Sequence, residues 1–164
     1  MKANIRIIKQ SLCSKISSPD KPTITYNVGY DDKAKSLFLR ITANSTGGFF
    51  SNEWINIESI WKLIETNKTN APFKALIFKR LYQSNSANNH GFLAAALRAE
   101  KLLLPAEKQK LSHTKGDIKA LTSAMQKPIK DQVSLEDEVA AAEKIKDDKR
   151  EELIKTMKKT AKNK

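Results

Sequence analysis

The side chains that most often carry chemistry in proteins are few in this chain, and they stand far apart. Its two histidines, His90 and His113, are 23 residues apart, and neither has another histidine or a cysteine at metal-ligand spacing. The one cysteine, Cys13, stands in no recognisable nucleophile context. We therefore expect no metal site, no cofactor and no catalytic residue. We interpret Cys13 as a buried, inert thiol and His90 as a solvated loop residue.

Two short motifs favour turns over catalysis. Asp31 and Asp32 open a polar run of five residues, which is typical of a turn rather than of a paired acid and base. Gly47 and Gly48 are not followed by the Lys-Ser or Lys-Thr step of a phosphate-cradling loop. The sequence therefore predicts a protein that is not an enzyme.

The basic residues form the pattern that points to a function. The chain has 30 Lys and Arg residues against 18 Asp and Glu residues, a net charge of +12. Residues 71–130 hold 11 basic and 3 acidic groups, so this segment alone carries +8. A concentrated positive field attracts polyanions and speeds their encounter. We predict a non-enzymatic accessory protein that binds the phosphate backbone of DNA or RNA, with single strands among the candidates.

The predicted binding residues are cations on successive elements, together with one aromatic side chain. Phe38 shares a strand face with a basic residue, which is the arrangement that single-strand binders use for base stacking. Arg98 and Lys101 are three residues apart on a predicted helix and so share a face. The predicted nucleic-acid-binding residues are Arg40, Lys74, Lys79, Arg80, Arg98, Lys101, Lys108 and Lys110.

Other interpretations of the charge stay open. An anionic membrane surface or an acidic protein would feel the same field, and charge alone also keeps a protein in solution. The tail from residue 131 to residue 164 is rich in acids at its start and in lysines at its end. That tail favours, as the alternative function, a protein-interaction module such as an adaptor, chaperone or inhibitor.

Three features bear on the compartment. A single cysteine cannot form an intramolecular disulfide, which fits a reducing environment. Basic residues interrupt the apolar N-terminus, so no signal peptide is expected, and no stretch approaches the ~18 apolar residues of a membrane span. We expect a cytoplasmic protein with no membrane partner, and the Lys-rich and Asn-rich composition suggests a bacterial or phage genome.

The first third of the chain alternates as β strands do. Residues 23–30 and 36–42 alternate around a polar turn and predict a hairpin. Residues 4–8 and 49–57 are predicted as further strands, and the polar segment 14–22, with two prolines, as a loop. From Asn56 the period becomes helical, and helices are predicted over residues 57–65, 72–81, 91–104 and 107–111. A capping box of Thr114 and Asp117 predicts a further helix that Pro128 ends, and a second box of Ser134 and Asp137 predicts a long exposed helix toward Lys162.

This layout predicts an α+β fold: an antiparallel three- to four-stranded meander packed against two or three helices, followed by a charged helical C-terminal extension. The meander and the helix beginning at Ile57 resemble the layout of small single-stranded-DNA-binding coactivator domains, and the helices around Leu76 and Leu97 resemble a helix-turn-helix. We predict a globular domain over residues 1–104, a helical connector over 105–130 and an exposed or partly disordered tail over 131–164. The predicted core is Ile24, Val28, Leu37, Leu39, Ile41, Trp61, Ile64, Leu76, Ile77, Leu93 and Leu97.

Overall fold

The computed structural model describes residues 4–67 and 71–163, and its fold is α+β, which confirms the predicted class. Four antiparallel strands form the first sheet in the order β1-β2-β3-β4. The strands are β1 (Ile5–Lys15), β2 (Ser18–Asp31), β3 (Ser36–Asn44) and β4 (Ile55–Asn56). Val28 faces Leu39 and Tyr26 faces Ile41 across β2 and β3, so the apolar residues of each alternating run lie on one face.

Two outer parts of this sheet differ from the prediction. The segment 14–22 was predicted as a loop, but β1 and β2 continue through most of it and turn back at residues 16–17. Ser14 pairs with Pro22 beside two register shifts, and such irregularities accommodate proline in a strand. The predicted strand over 49–57 shrinks to the two residues of β4.

The core face of the sheet is covered by three helices. Helix α1 (Ile57–Thr66) begins at the predicted cap, where the Asn56 side chain accepts a hydrogen bond from the Ser59 N–H at 3.2 Å. A 3₁₀ helix covers Ala75–Leu81, and α2 covers Asn89–Ala99. Helix α2 contacts β1, β3 and the 3₁₀ helix, and buries a continuous run from Phe92 to Leu97. It is therefore the central helix of the core.

Most of the predicted core residues are confirmed. Leu37, Trp61 and Ile77 are half-buried against the core, whereas Leu76 is 62% exposed, so its assignment to the core was wrong. The segment forms a 3₁₀ helix, which has three residues per turn instead of the 3.6 that the prediction assumed. A different side of the helix therefore faces the core, and Phe78 is the residue that it buries. The fully confirmed core positions are Ile24, Val28, Leu39, Ile41, Ile64, Leu93 and Leu97.

A second sheet replaces part of the predicted helical connector. Its order is β5-β7-β6, with β5 (Phe73–Lys74), β6 (Leu103–Ala106) and β7 (Gln109–Lys115). The helix predicted over 107–111 is wrong, because β6 and β7 form a hairpin there. Helix α2 also ends at Ala99, before the predicted residue 104, because the chain turns left-handed at Lys101 (φ 66°). The Lys101 and Leu102 N–H groups donate to the Arg98 and Leu97 carbonyls, which closes the helix.

Two further helices follow. Helix α3 (Ile118–Lys130) is capped by Asp117 and buries Leu121 and Met125. It runs past Pro128, where its end was predicted. Helix α4 (Glu138–Lys162) is capped by Asp137, three residues after Ser134, where the cap was predicted. It buries none of its residues, which confirms that it is exposed. None of the helices in the described part of the chain is both long and apolar enough to span a membrane.

The segment between α3 and α4 is docked on the first sheet. The Leu135 N–H donates to the Ile7 carbonyl at 2.8 Å. The Arg6 guanidinium donates to the Val133 carbonyl at 2.6 Å and to the Ile129 carbonyl at 3.1 Å. The segment 131–137 is thus attached to β1 through Val133 and Leu135, and α4, which buries none of its residues, follows it. The domain limits themselves stay a prediction that proteolysis can test.

Candidate nucleic-acid interface

Three of the predicted cations come together around the 3₁₀ helix. Lys74 precedes this helix, Lys79 and Arg80 lie in its last turn, and all three are exposed. They point outward because Phe78 takes the core side and is fully buried. Leu76, also exposed, lies between them in sequence. We call this stretch, residues 74–80, the basic ridge.

A cleft of about 410 Å³ opens on one side of the basic ridge. It lies between the ridge, the turn after β1, the start of α2 and strand β7. No aspartate or glutamate is among the described residues that line it, so its ionisable groups are lysines and histidines. We call it the histidine cleft, and its lining includes Lys15, Lys74, Leu76, His90, Phe92, Leu111 and His113.

A second, more open cleft of about 710 Å³ lies on the other side of the ridge. Leu76 lines both clefts, so the basic ridge separates them. Lys79 and Arg80 supply the ionisable cations of this outer cleft, and its described lining again contains no carboxylate. The surface is therefore positive on both sides of the ridge. A surface that only faces solvent usually carries charges of both signs.

His113 is the most deeply buried ionisable group beside the ridge. It is 1% exposed, and its Nδ1 accepts a hydrogen bond from Arg98 Nε at 2.9 Å. Burial, and then the charge of Arg98, lowers the pKa of His113 to about 4. The ring is therefore neutral at pH 7 and carries its proton on Nε2. That nitrogen has no hydrogen-bond partner in the described chain.

His90 lies in the first turn of α2 and not in a solvated loop, as its sequence context had indicated. It is half-buried, and its Nδ1 is buried with no partner among the residues that the structure describes. Burial, and then the charge of Lys79, lowers its pKa. The polar neighbours of His90 in sequence gave no signal of this, because Asn88 and Asn89, which precede it, are residues that loops and helix starts share.

Arg98, predicted as a phosphate contact, is engaged inside the protein. Besides its bond to His113, its Nη2 donates to the Lys110 carbonyl at 3.1 Å and to the Ser112 carbonyl at 2.8 Å. The side chain is half-buried, and burial lowers its pKa. Arg98 therefore fastens β7 to α2 and has few donors left for a phosphate.

Arg40, also predicted as a phosphate contact, is 4% exposed. Its guanidinium stacks 4.2 Å from the Trp54 ring centroid and donates to Asn27 at 3.1 Å and to Asp137 at 2.8 Å. It is not available at the surface. Phe38 lies on the same sheet face, as the alternation predicted, and is half-buried. Its stacking role stays a prediction.

The remaining predicted cations are exposed near the β6–β7 hairpin. Lys101 follows the end of α2 and does not share a helix face with Arg98, because the helix has ended. Lys108 occupies the hairpin turn with φ 66°, and Lys110 lies at the start of β7, next to the cleft-lining Leu111. These three residues lie outside the ridge, which Lys74, Lys79 and Arg80 form.

The sequence predicted no metal site and a buried, inert thiol at Cys13. In the two described ranges, no three His, Cys, Asp or Glu side chains are grouped so as to hold a metal ion. Cys13 is buried as expected, and burial, followed by the charge of Glu100, raises its pKa to about 12. Comparison with models of protein families, with curated proteins and with solved structures gave no match.

Proposed function

We propose that this protein binds nucleic acid through the basic ridge, mainly by contacts to the phosphate backbone. The observation that carries the proposal is the grouping of Lys74, Lys79 and Arg80 between two clefts whose described linings hold no carboxylate. Phosphates that meet such a surface release bound counterions, and this release drives association. Backbone contacts carry little sequence information, so we expect weak base preference.

The test is a salt series with single- and double-stranded DNA and RNA. The ridge variant is Lys79→Glu with Arg80→Glu, and the matched control is Lys155→Glu with Lys158→Glu on exposed α4. Both variants change the net charge equally. The ridge variant is expected to weaken binding of all sequences and to reduce the salt slope by about 1.4–1.8, because two phosphate contacts are lost.

Two outcomes would contradict the proposal. One is the absence of binding to any strand at ~50 mM salt, where electrostatic association is strong. The other is an equal loss of affinity in the ridge variant and in the α4 control, since net charge alone would then explain the binding.

Helix α4 supports a second candidate function, a protein-interaction module. Its 25 residues bury no side chain, and Leu153 and Met157, four residues apart on one face, are 61% and 64% exposed. Most helices in proteins depend on packing for their stability. Hydrogen exchange should show fast exchange along α4 in the isolated chain. Strong protection that does not depend on protein concentration would remove the argument for a partner.

A further inference from the structure

We infer that the histidine cleft receives one unpaired nucleotide of the strand that the basic ridge binds. The inference rests on the proposed function and names a ligand for the cleft beside the ridge. At about 410 Å³ the cleft is within the range of small-ligand sites. An unpaired nucleotide is the class of ligand that combines a flat base with apolar faces, a polar base edge and a charged phosphate.

The polar part of the cleft is matched to a base edge. The hydrogen bond from Arg98 to His113 Nδ1 leaves the proton on Nε2, so Nε2 is a donor of fixed position. His90 Nδ1 is a second buried ring nitrogen, and neither has a hydrogen-bond partner in the described ranges. Buried polar atoms are normally paired, so two unpaired nitrogens on histidines that line one cleft favour a ligand with polar groups of its own.

The rim of the cleft is matched to a phosphate. Lys74 is exposed beside it. Lys15 is held at its edge by a hydrogen bond to Thr46 and by a cation–π contact in which its Nζ lies 5.6 Å from the Phe92 ring centroid. No carboxylate in the described lining offsets these charges. An anionic ligand is therefore favoured over a neutral or cationic one.

The walls of the cleft distinguish a nucleotide from a bare phosphate. Leu76 and Leu111 are 62% and 60% exposed, and Phe92 and Ile16 complete an apolar lining. Inorganic phosphate would leave this apolar surface in water. A base inserted between these side chains would cover it, and apolar contact of this kind is non-directional and does not depend on which base is bound.

The test titrates the full chain with nucleoside monophosphates, the matching nucleosides and inorganic phosphate, and follows the side-chain ¹⁵N signals of His90 and His113. Nucleoside monophosphates are expected to shift both signals and to bind at least tenfold more tightly than nucleosides or phosphate. Inorganic phosphate binding equally well, or unshifted histidine signals, would overturn the inference.

A pair of variants ties the cleft to strand binding. Leu111→Glu places a carboxylate in the cleft, and Leu12→Glu makes the same change at a residue of similar exposure on β1 outside it. Leu111→Glu should weaken nucleotide binding at least tenfold and should weaken single strands more than duplex, while Leu12→Glu should change neither. Equal behaviour of the two variants would overturn the inference and leave the ridge proposal standing. Binding of monophosphates without binding of any strand would instead overturn the ridge proposal and retain the cleft as a nucleotide site.

Discussion

The Arg98 side chain joins two elements through three hydrogen bonds, and its removal tests that role. Arg98→Ala leaves the Lys110 and Ser112 carbonyls and His113 Nδ1 without their donor. We expect a loss of about 1–3 kcal/mol in the free energy of unfolding, the usual range for unsatisfied buried groups. Arg98→Lys should restore little of the lost stability, because a lysine ammonium cannot reproduce the planar set of N–H donors that the guanidinium presents. Urea unfolding measures the stability of both variants. A loss below ~0.5 kcal/mol in Arg98→Ala would contradict the role of Arg98 in joining β7 to α2. The sequence had instead predicted Arg98 as a nucleic-acid-binding residue.

The buried ring of His113 makes stability depend on pH. Its pKa is about 4 in the folded chain against 6.5 for an ordinary histidine, so the unfolded state binds more protons between these values. The contribution is fully present above pH 6.5 and is lost as the pH falls toward 4, to a total of about 3 kcal/mol. Burial alone would raise the pKa of Glu53 and of Asp137, but hydrogen bonds to each carboxylate outweigh burial, so both pKa values lie below the ordinary range. The stability that these carboxylates contribute is therefore present at neutral pH and is lost only as the pH falls through their lowered pKa values.

Urea unfolding at pH 7 and pH 5 tests this dependence. The wild-type chain should lose stability between the two, and His113→Phe should flatten the difference because no proton binds at that position. Phenylalanine keeps a ring beside Phe73, which His113 contacts at a centroid distance of 6.2 Å. The readout is the pH slope rather than absolute stability, and an unchanged slope would contradict the role of His113.

At the residue scale, the sequence predicted the exposed cations of the ridge but not the fate of Arg40. The alternation placed Arg40 correctly on the face away from the apolar residues of β3. That face is nevertheless covered, because Trp54 stacks on the guanidinium and Asp137 pairs with it from 97 residues away. A contact so distant in sequence leaves no local pattern, so an arginine that binds a ligand and one that pairs internally look alike.

At the scale of elements, Gly116 fixes the approach of β7 to the end of α2. A Cβ at this position would lie 2.1 Å from the Lys101 carbonyl oxygen, a backbone atom that cannot move aside cheaply. We expect Gly116→Ala to destabilise the chain by about 3 kcal/mol, the upper part of the range for overpacking. Thermal or urea unfolding measures the effect.

Gly91 provides the matched control for this substitution. It lies inside α2, and a Cβ there would meet nothing within 4 Å. Gly91→Ala should therefore stabilise the helix by about 0.5–1 kcal/mol, because alanine has the higher helix propensity. A similar destabilisation by both substitutions would contradict the importance of the close approach at Gly116.

Helices with a strong local signal were predictable, and elements that depend on distant partners were not. The Asn56 cap and the apolar spacing of α1 identified that helix. Residues 73–81 fit a period of 3.6, yet Phe73 pairs with His113 in a sheet, which leaves a 3₁₀ helix with a different buried side. Strand β7 has no clear alternation of its own, and its pairing with β5 and β6 decides its structure.

At the scale of the whole molecule, the docked segment 131–137 defines where the body ends. Truncation after Asp137 should leave a stable body, because α4 buries no residue. Truncation after Gln126 removes two carbonyl acceptors of Arg6 and the carboxylate partner of buried Arg40. We expect the shorter chain to lose about 3–5 kcal/mol, since a buried charge left unpaired is costly.

Limited proteolysis and urea unfolding of the two truncated chains check this expectation. Cleavage should occur within α4 and spare residues 129–137. The sequence had predicted an exposed or partly disordered tail from residue 131 onward, since nothing in the polar segment 131–137 signals its docking on β1. Equal stability of the two truncated chains would show that the body ends by Gln126 and that the docked segment contributes nothing to the free energy of unfolding.

Asp137 links the first turn of α4 to the surroundings of a tryptophan. Its carboxylate caps α4 by accepting the Ala140 N–H, and it also pairs with Arg40, which lies 4.2 Å from the Trp54 ring centroid. Fraying or partner binding that alters the first turn of α4 is therefore expected to change the environment of Trp54, so that its fluorescence would report on the start of a helix that extends about 37 Å.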